Sequence, residues 1–301
     1  MVYTLLYGQF VIRYPDIPNQ GPEPDGDTIK FLPDDPQLVK DLHQISGIKP
    51  KINERGISVR LEAIDALETH FNNTHQWLDG ANMARNKLLA YLGFKNVVFM
   101  EDHPNKIESA SHDSLPGYVL SNGIDANGRV IGFVFKGSDD RPGEDGSTIT
   151  VDTTLLDKSI NTKLLADGRV YPAFYGTLPA RLREHLASKS QAARAAKKGI
   201  WPRSTADLRG AATVFSSESL KELVMWPKLF RRLVVFFSTH NNGLKDFDAW
   251  LRMDPVNRDD RVFLLDTNTH ANFHNIVTID GDTIKLNVEF EKVVIEPDPV
   301  N

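Results

Sequence analysis

The chain has 301 residues, of which 41% are hydrophobic and 25% charged, an ordinary globular balance with length enough for two domains and at least one sizeable core. It has no cysteine, which excludes a disulfide framework, a thiolate metal site and a cysteine nucleophile. At a net charge of −5 it has no basic tail to hold nucleic acid by bulk electrostatics, so any phosphate must be met by a few placed arginines and lysines.

The opening "MVYTLLYGQFVIRYPD" lacks the basic lead and long apolar core of a signal peptide. No apolar run approaches the ~18 residues of a membrane span. The expectation is a cytoplasmic protein with no membrane contact. Gly8 to Phe31 is strand-like with a proline-rich interruption, and Leu32 to Gly56 reads as a long loop with one helical turn. "ISVRLEAID" predicts one strand. Gln76 to Leu92 has helical spacing (Trp77, Leu78, Ala81, Ala84, Leu88, Leu89, Leu92) with a stop at Gly93. "NVVFM" and "RVIGFVF" predict strands, "TTLLDKSINTKLLADG" one helix ending at Gly168, and Pro179 to Gly199 another.

A boundary near Arg203 to Gly210 divides the chain into 1–209 and 210–301. Beyond it, Ser219 and Glu222 form a capping-box pattern for a helix ended by Trp226–Pro227. An apolar helix follows from Lys228 to about Ser238. "GLKDFDAWLRM" is a short third helix, and strands finish the chain. From Ala211 onward there are 10 basic and 14 acidic residues, so this segment carries −4 of the total −5. That balance suits covering a basic site, a protein partner or self-association, and not a second nucleic-acid clamp.

The hexapeptide "DGDTIK" occurs twice, at Asp25–Lys30 and at Asp280–Lys285. Asp-Gly suits a tight turn, and the alternation after each copy suits a half-buried strand, so both predict a hairpin turn. Only the first copy is followed by "SVRLEAIDALET" and later by "DANGRVIGFVF". These segments supply Asp27, Arg60, Asp65, Glu68 and Arg129. We expect the turn to be used twice and the chemistry once.

"DGDT" at Asp25–Thr28, "RLEAIDALET" at Arg60–Thr69, "GR" at Gly128–Arg129 and "AARAAKKGIW" at Ala192–Trp201 stand in an order that resembles the staphylococcal nuclease (thermonuclease) family over roughly residues 8–205. The resemblance implies an α+β chain: a five-stranded OB-type barrel with packed helices, here followed by a smaller C-terminal α+β domain. It implies calcium-dependent hydrolysis of DNA and RNA phosphodiesters. Asp27, Asp65 and the carbonyl of Ala66 would ligate Ca²⁺, Glu68 would activate water, and Arg60 and Arg129 would bind the phosphate. Asp25 stands where an outer-shell carboxylate is common, and Phe174 and Tyr175 near the stacking tyrosines. Departures are Leu67, where proline is usual before Glu68, and Ala126–Asn127, which replace residues near the nucleotide.

The residue types suit that chemistry. Calcium takes hard oxygen ligands, arginine offers a permanent fork matched to phosphate oxygens, and a carboxylate within hydrogen-bond reach can orient water. The other class of function is a nucleic-acid-binding or scaffold protein on the same barrel with weak or no cleavage. Simpler readings hold elsewhere. Asp266, His270 and His274 lie in a turn-rich stretch rather than a metal helix. Trp226, Phe230, Leu233, Val234 and Phe237 read as core or partner surface. Lys30, Lys51 and Lys95, and the helix around Arg194, Lys197 and Lys198, read as solvated.

Overall fold

The computed structural model describes residues 2–137 and 141–296. Strand β1 (Val2–Val11) pairs antiparallel with β2 (Thr28–Pro33), Phe10 opposite Phe31. After a short helix α1 (Pro36–Lys40), β3 (Ile57–Leu61) pairs with β2, Thr28 opposite Arg60. The two-residue β4 (Ile64–Asp65), helix α2 (Leu78–Leu92) and the small ribbon of β5 (Val98–Phe99) and β6 (Ile107–Ser109) precede β7 (Ser114–Ile124) and β8 (Val130–Lys136). β7 pairs with both β1 and β8. β8 runs parallel to β3, Val59 opposite Val130, and closes a five-strand barrel in the order β1-β2-β3-β8-β7. Closure satisfies the backbone edges an open sheet would expose. β9 (Thr148–Thr150) extends the sheet beside the start of β1.

The alternation predicted for β2 holds: Ile29 and Phe31 are buried, while Thr28 and Lys30 are half-exposed. They meet Leu5, Phe10, Val59, Leu120 and Phe133 inside the barrel, and Leu88 and Leu92 of α2 pack on the same core.

Next come α3 (Thr153–Lys158), α4 (Ile160–Ala166), β10 (Tyr171–Pro172), β11 (Phe174–Tyr175) and α5 (Ala180–Ala195). The remainder holds β12 (Ala212–Thr213), α6 (Pro227–Phe237), α7 (Phe247–Arg252), β13 (Arg261–Leu264), β14 (Thr269–Asn272), β15 (Val277–Asp280), β16 (Thr283–Leu286) and β17 (Val293–Ile295). This mixed α+β segment does not stand apart. β17 pairs in parallel with β11. Tyr171 and Trp201 share a second core with Trp226, Phe230 and Phe290. The division at 209/210 therefore does not coincide with a gap between cores.

Several local expectations change. The longest described strand, β7, carries no strand pattern in its sequence, because "SLPGYVLSNGI" mixes proline, glycine, serine and asparagine into a strand buried on both faces. The expected single helix after Thr153 is two, because Ser159 adopts ψ 148° and caps α4 by accepting from the Thr162 N–H at 3.1 Å. The Ser219 pattern yields only a 3₁₀ turn over Glu218–Leu220, and its Oγ accepts from the N–H groups of Phe215 and Ser216 instead. Arg194 is not solvated: it pairs with Glu289 at 2.5 Å and Glu291 at 3.0 Å, tying α5 to the end of the chain.

Candidate functional site

The site grows out of the β2–β3 pairing. The Leu61 N–H donates to the Asp27 carbonyl at 2.8 Å, which fixes the start of β2 against the end of β3. The expected strand "ISVRLEAID" then breaks at Glu62–Ala63, where Ala63 takes φ 69°, a backbone region non-glycine residues seldom occupy. That reversal turns Asp65 back toward Arg60. The Arg60 guanidinium bridges the two buried aspartates, donating to Asp27 and, at 2.5 Å, to Asp65. It also donates to the Ile64 carbonyl at 3.3 Å.

The rest of the Asp27 carboxylate is filled from nearby. Its Oδ2 accepts the Ala66 N–H at 2.7 Å and its Oδ1 accepts the Thr28 hydroxyl at 3.1 Å. Asp25 is first a turn residue: its carboxylate accepts the Asp27 N–H at 3.0 Å. The first "DGDTIK" is thus an aspartate-capped turn entering a barrel strand and not the hairpin that was expected.

Glu68 is held by the C-terminal segment. Its backbone N–H and carbonyl bond to Gln76, and the Gln76 amide donates to the Met225 carbonyl at 2.9 Å. Arg231 of α6 then reaches the cluster itself. It donates to Glu68 at 2.5 Å and to both oxygens of Asp65 at 3.2 and 3.0 Å. The acidic C-terminal segment, whose charge suits a basic site, instead reaches an acidic cluster, and does so with an arginine. The clue was in "LFRRLVVFF", since two arginines inside an otherwise apolar helix require partners.

Burial governs the protonation of this cluster. It pushes the Asp27 carboxyl up to about 7, with Arg60 opposing and Asp25 and Asp65 adding to the rise. Burial also raises Asp25 and Glu68; for Glu68, Arg231 opposes and Asp65 adds. For Asp65 burial works upward too, but Arg231 and Arg60 together hold it below the usual carboxylate range. Four carboxylates thus share two guanidinium groups.

Beside the cluster is a cavity of about 240 Å³. Arg60 and Arg129 both line it, with Tyr175, Asn127, Lys228 and Asp260 around them. The turn Asp125–Arg129 aims Arg129, as the Asp125 carboxylate accepts both its backbone N–H and its Nε at 2.8 Å. Tyr175 is 40% exposed at this cavity, whereas Phe174, expected beside it as a stacking residue, is fully buried in the barrel core. Ala126 and Asn127 also face the cavity.

Asp27, Arg60, Asp65, Ala66 and Glu68 therefore meet as expected, with Arg129 on the neighbouring cavity wall. Ala66, expected to offer its carbonyl to a cation, offers its N–H to Asp27. The hard-oxygen chemistry of Asp27 and Asp65 is of the kind calcium takes. As placed, however, both Asp65 oxygens face arginines and both Asp27 oxygens accept hydrogen bonds. Among the described residues no group of three or more His, Asp or Glu side chains is arranged to hold a metal ion. In this arrangement the donor set does not fit a bound dication. Asp266, His270 and His274 disperse to Lys292, Glu296 and Asp259 respectively. No described helix is long and apolar enough to cross a membrane.

Comparison of the chain with protein-family models and with curated proteins gave no match.

Proposed function

We propose that the chain is a nuclease-type hydrolase of DNA or RNA phosphodiesters, built on an OB-type barrel of the staphylococcal nuclease kind. The observation that carries this reading is one constellation: Arg60 bridges Asp27 and Asp65, Glu68 stands beside them, and Arg60 and Arg129 line a single cavity. The closed five-strand barrel is compatible with it.

In this reading the two arginines grip one phosphate and the extra charge it gains in the transition state, worth ~2.7–4 kcal/mol per preorganised donor. Asp27 and Asp65 hold the Arg60 fork in place, and Glu68 orients the attacking water. The cavity of about 240 Å³ has room for a phosphate between the two arginines.

The test is degradation of single-stranded and duplex DNA, and of RNA, by the purified chain in Ca²⁺, Mg²⁺ and EDTA, beside Arg60→Ala and Glu68→Gln. Cleavage that both substitutions cut ~10²-fold or more is the expected result. A specific contact favours the other reading, a nucleic-acid-binding module: the Glu68 carboxylate accepts from the Arg231 guanidinium at 2.5 Å and so is not free to take a proton. Binding without cleavage above the variant controls would select it.

A further inference from the structure

The cavity beside the cluster is built from both ends of the chain. Arg60 and Arg129 line it from the barrel, and Lys228, Asp260 and Glu296 line it from the C-terminal segment. Lys228 is the second residue of α6, and only 7% of its side chain is exposed. Leu229, Phe230, Leu233 and Phe236 of the same helix are fully buried in the second core, so the lysine stands on a fixed support. Its Nζ lies 5.8 Å from the centre of the Tyr175 ring, which is exposed to the same cavity.

An ammonium has three N–H donors. Lys228 uses one, to Asp260 at 2.7 Å, and no other described residue accepts from it. Asp260 has a second cation. Arg232 donates to it as well, and is itself held by the Arg258 and Asn257 carbonyls. Burial works upward on the Asp260 carboxyl, but Lys228 and Arg232 together hold it below the usual carboxylate range. One carboxylate therefore faces two cations. The other wall carboxylates are already paired: Asp125 takes Arg129, and Glu296 takes Arg261. A buried ammonium with spare donors is costly unless an acceptor enters the space in front of it.

We propose that Lys228 is a third anion-binding residue of this cavity, through which the C-terminal segment grips a phosphate of a nucleic-acid strand alongside Arg60 and Arg129. The arginines present planar forks to phosphate oxygens, and the lysine adds a point charge from the opposite wall. The inference rests on the nuclease reading only for the choice of phosphate as the anion, and its readout is binding.

The experiment is fluorescence anisotropy of a labelled single-stranded phosphorothioate oligonucleotide, which keeps the charge of each linkage and resists cleavage. It is titrated with the full chain and its Lys228→Met, Asp260→Asn and Lys221→Met variants over a range of salt concentrations. Near-ultraviolet circular dichroism checks that each is folded. Lys228→Met keeps the apolar stem. It should weaken binding about tenfold or more and lower the slope of log affinity against log salt by about 0.7, the share of one phosphate contact. Lys221→Met removes the same charge from a surface pair with Glu218 and should change neither. Asp260→Asn takes a negative group off the wall and should tighten binding severalfold. If Lys228 and Asp260 only clasp α6 in place, both variants weaken binding alike, and that result overturns the proposal. So does a Lys228→Met chain with unchanged affinity and slope, or an unsubstituted chain that does not bind. Should Lys228→Met fail to fold, the sign of the Asp260→Asn effect decides: tighter binding upholds the proposal, and unchanged or weaker binding overturns it. A chain that binds through Lys228 but cleaves no natural strand refutes the nuclease reading and leaves this one standing. A chain that cleaves while Lys228→Met keeps full affinity refutes this one alone.

Discussion

The two "DGDTIK" copies use the same six residues for opposite ends. In the second, Gly281 has φ 57° and nothing lies within 4 Å of where a Cβ would stand. It closes a two-residue hairpin in which Asp280 pairs with Thr283, and Asp280 and Asp282 are exposed. In the first, Gly26 needs no positive φ. A Cβ there would come within 2.5 Å of the Ala66 Cβ and 2.8 Å of the Ala84 Cβ. The first glycine admits a close approach, the second a backbone conformation, and only the first approach brings Asp27 onto Ala66 and Arg60. Identical local sequence thus yields a buried charged centre at one site and a solvated turn at the other.

The largest expected contrast is in activity. Asp27→Asn should lower cleavage ~10²–10³-fold, because it loosens the Arg60 fork, while Asp282→Asn leaves it unchanged. Equal effects would erase the distinction. The second contrast is in pH dependence. Asp27 has its carboxyl raised from 3.8 to about 7 by burial. Between those values the folded chain keeps a proton that the unfolded chain has released. Stability must therefore fall as pH rises through this window and level off above it, by at most ~1.4 kcal/mol per pH unit for the one group. Urea melts from pH 4 to 8 should show Asp27→Asn losing one proton's share of that slope and Asp282→Asn keeping it.

Smaller effects come from the glycines. Gly26→Ala should cost ~1–3 kcal/mol by overpacking against Ala66 and Ala84, and should lower activity along with stability. Gly281→Ala should cost about 1 kcal/mol through its backbone conformation alone and leave activity intact. Thermal melts and a cleavage assay on the pair separate the two uses of glycine. A Gly26→Ala chain with native stability would mean that the Ala66 segment yields easily, and the site would be looser than its hydrogen bonds suggest.

Much of the barrel side was legible in the sequence. Period-two alternation marked Ile29 and Phe31 as inward, and helical spacing marked α2. The grouping of Asp27, Arg60, Asp65 and Glu68 could be read because β2, β3 and the turn after them are close in sequence, so short-range geometry does most of the assembly. β7 was not legible, since its burial on both faces leaves no alternation in the sequence. The fate of Phe174 and Tyr175 was hidden for a related reason. Adjacent residues on a strand face opposite ways, and only the parallel pairing with β17 decides which one meets the cavity.

By itself the sequence determined the residue types of the site, the hairpin turn of the second copy and most helices, because these follow from local propensity and periodicity. Tertiary structure alone decided that Arg231 enters the cluster, that Ala66 presents its N–H to Asp27, and that the segments on either side of residue 209 share a core. Each of these depends on a contact between distant residues. The direction of a side chain across such a gap is set by the packing of an apolar helix face, which carries no mark in the residues it brings together.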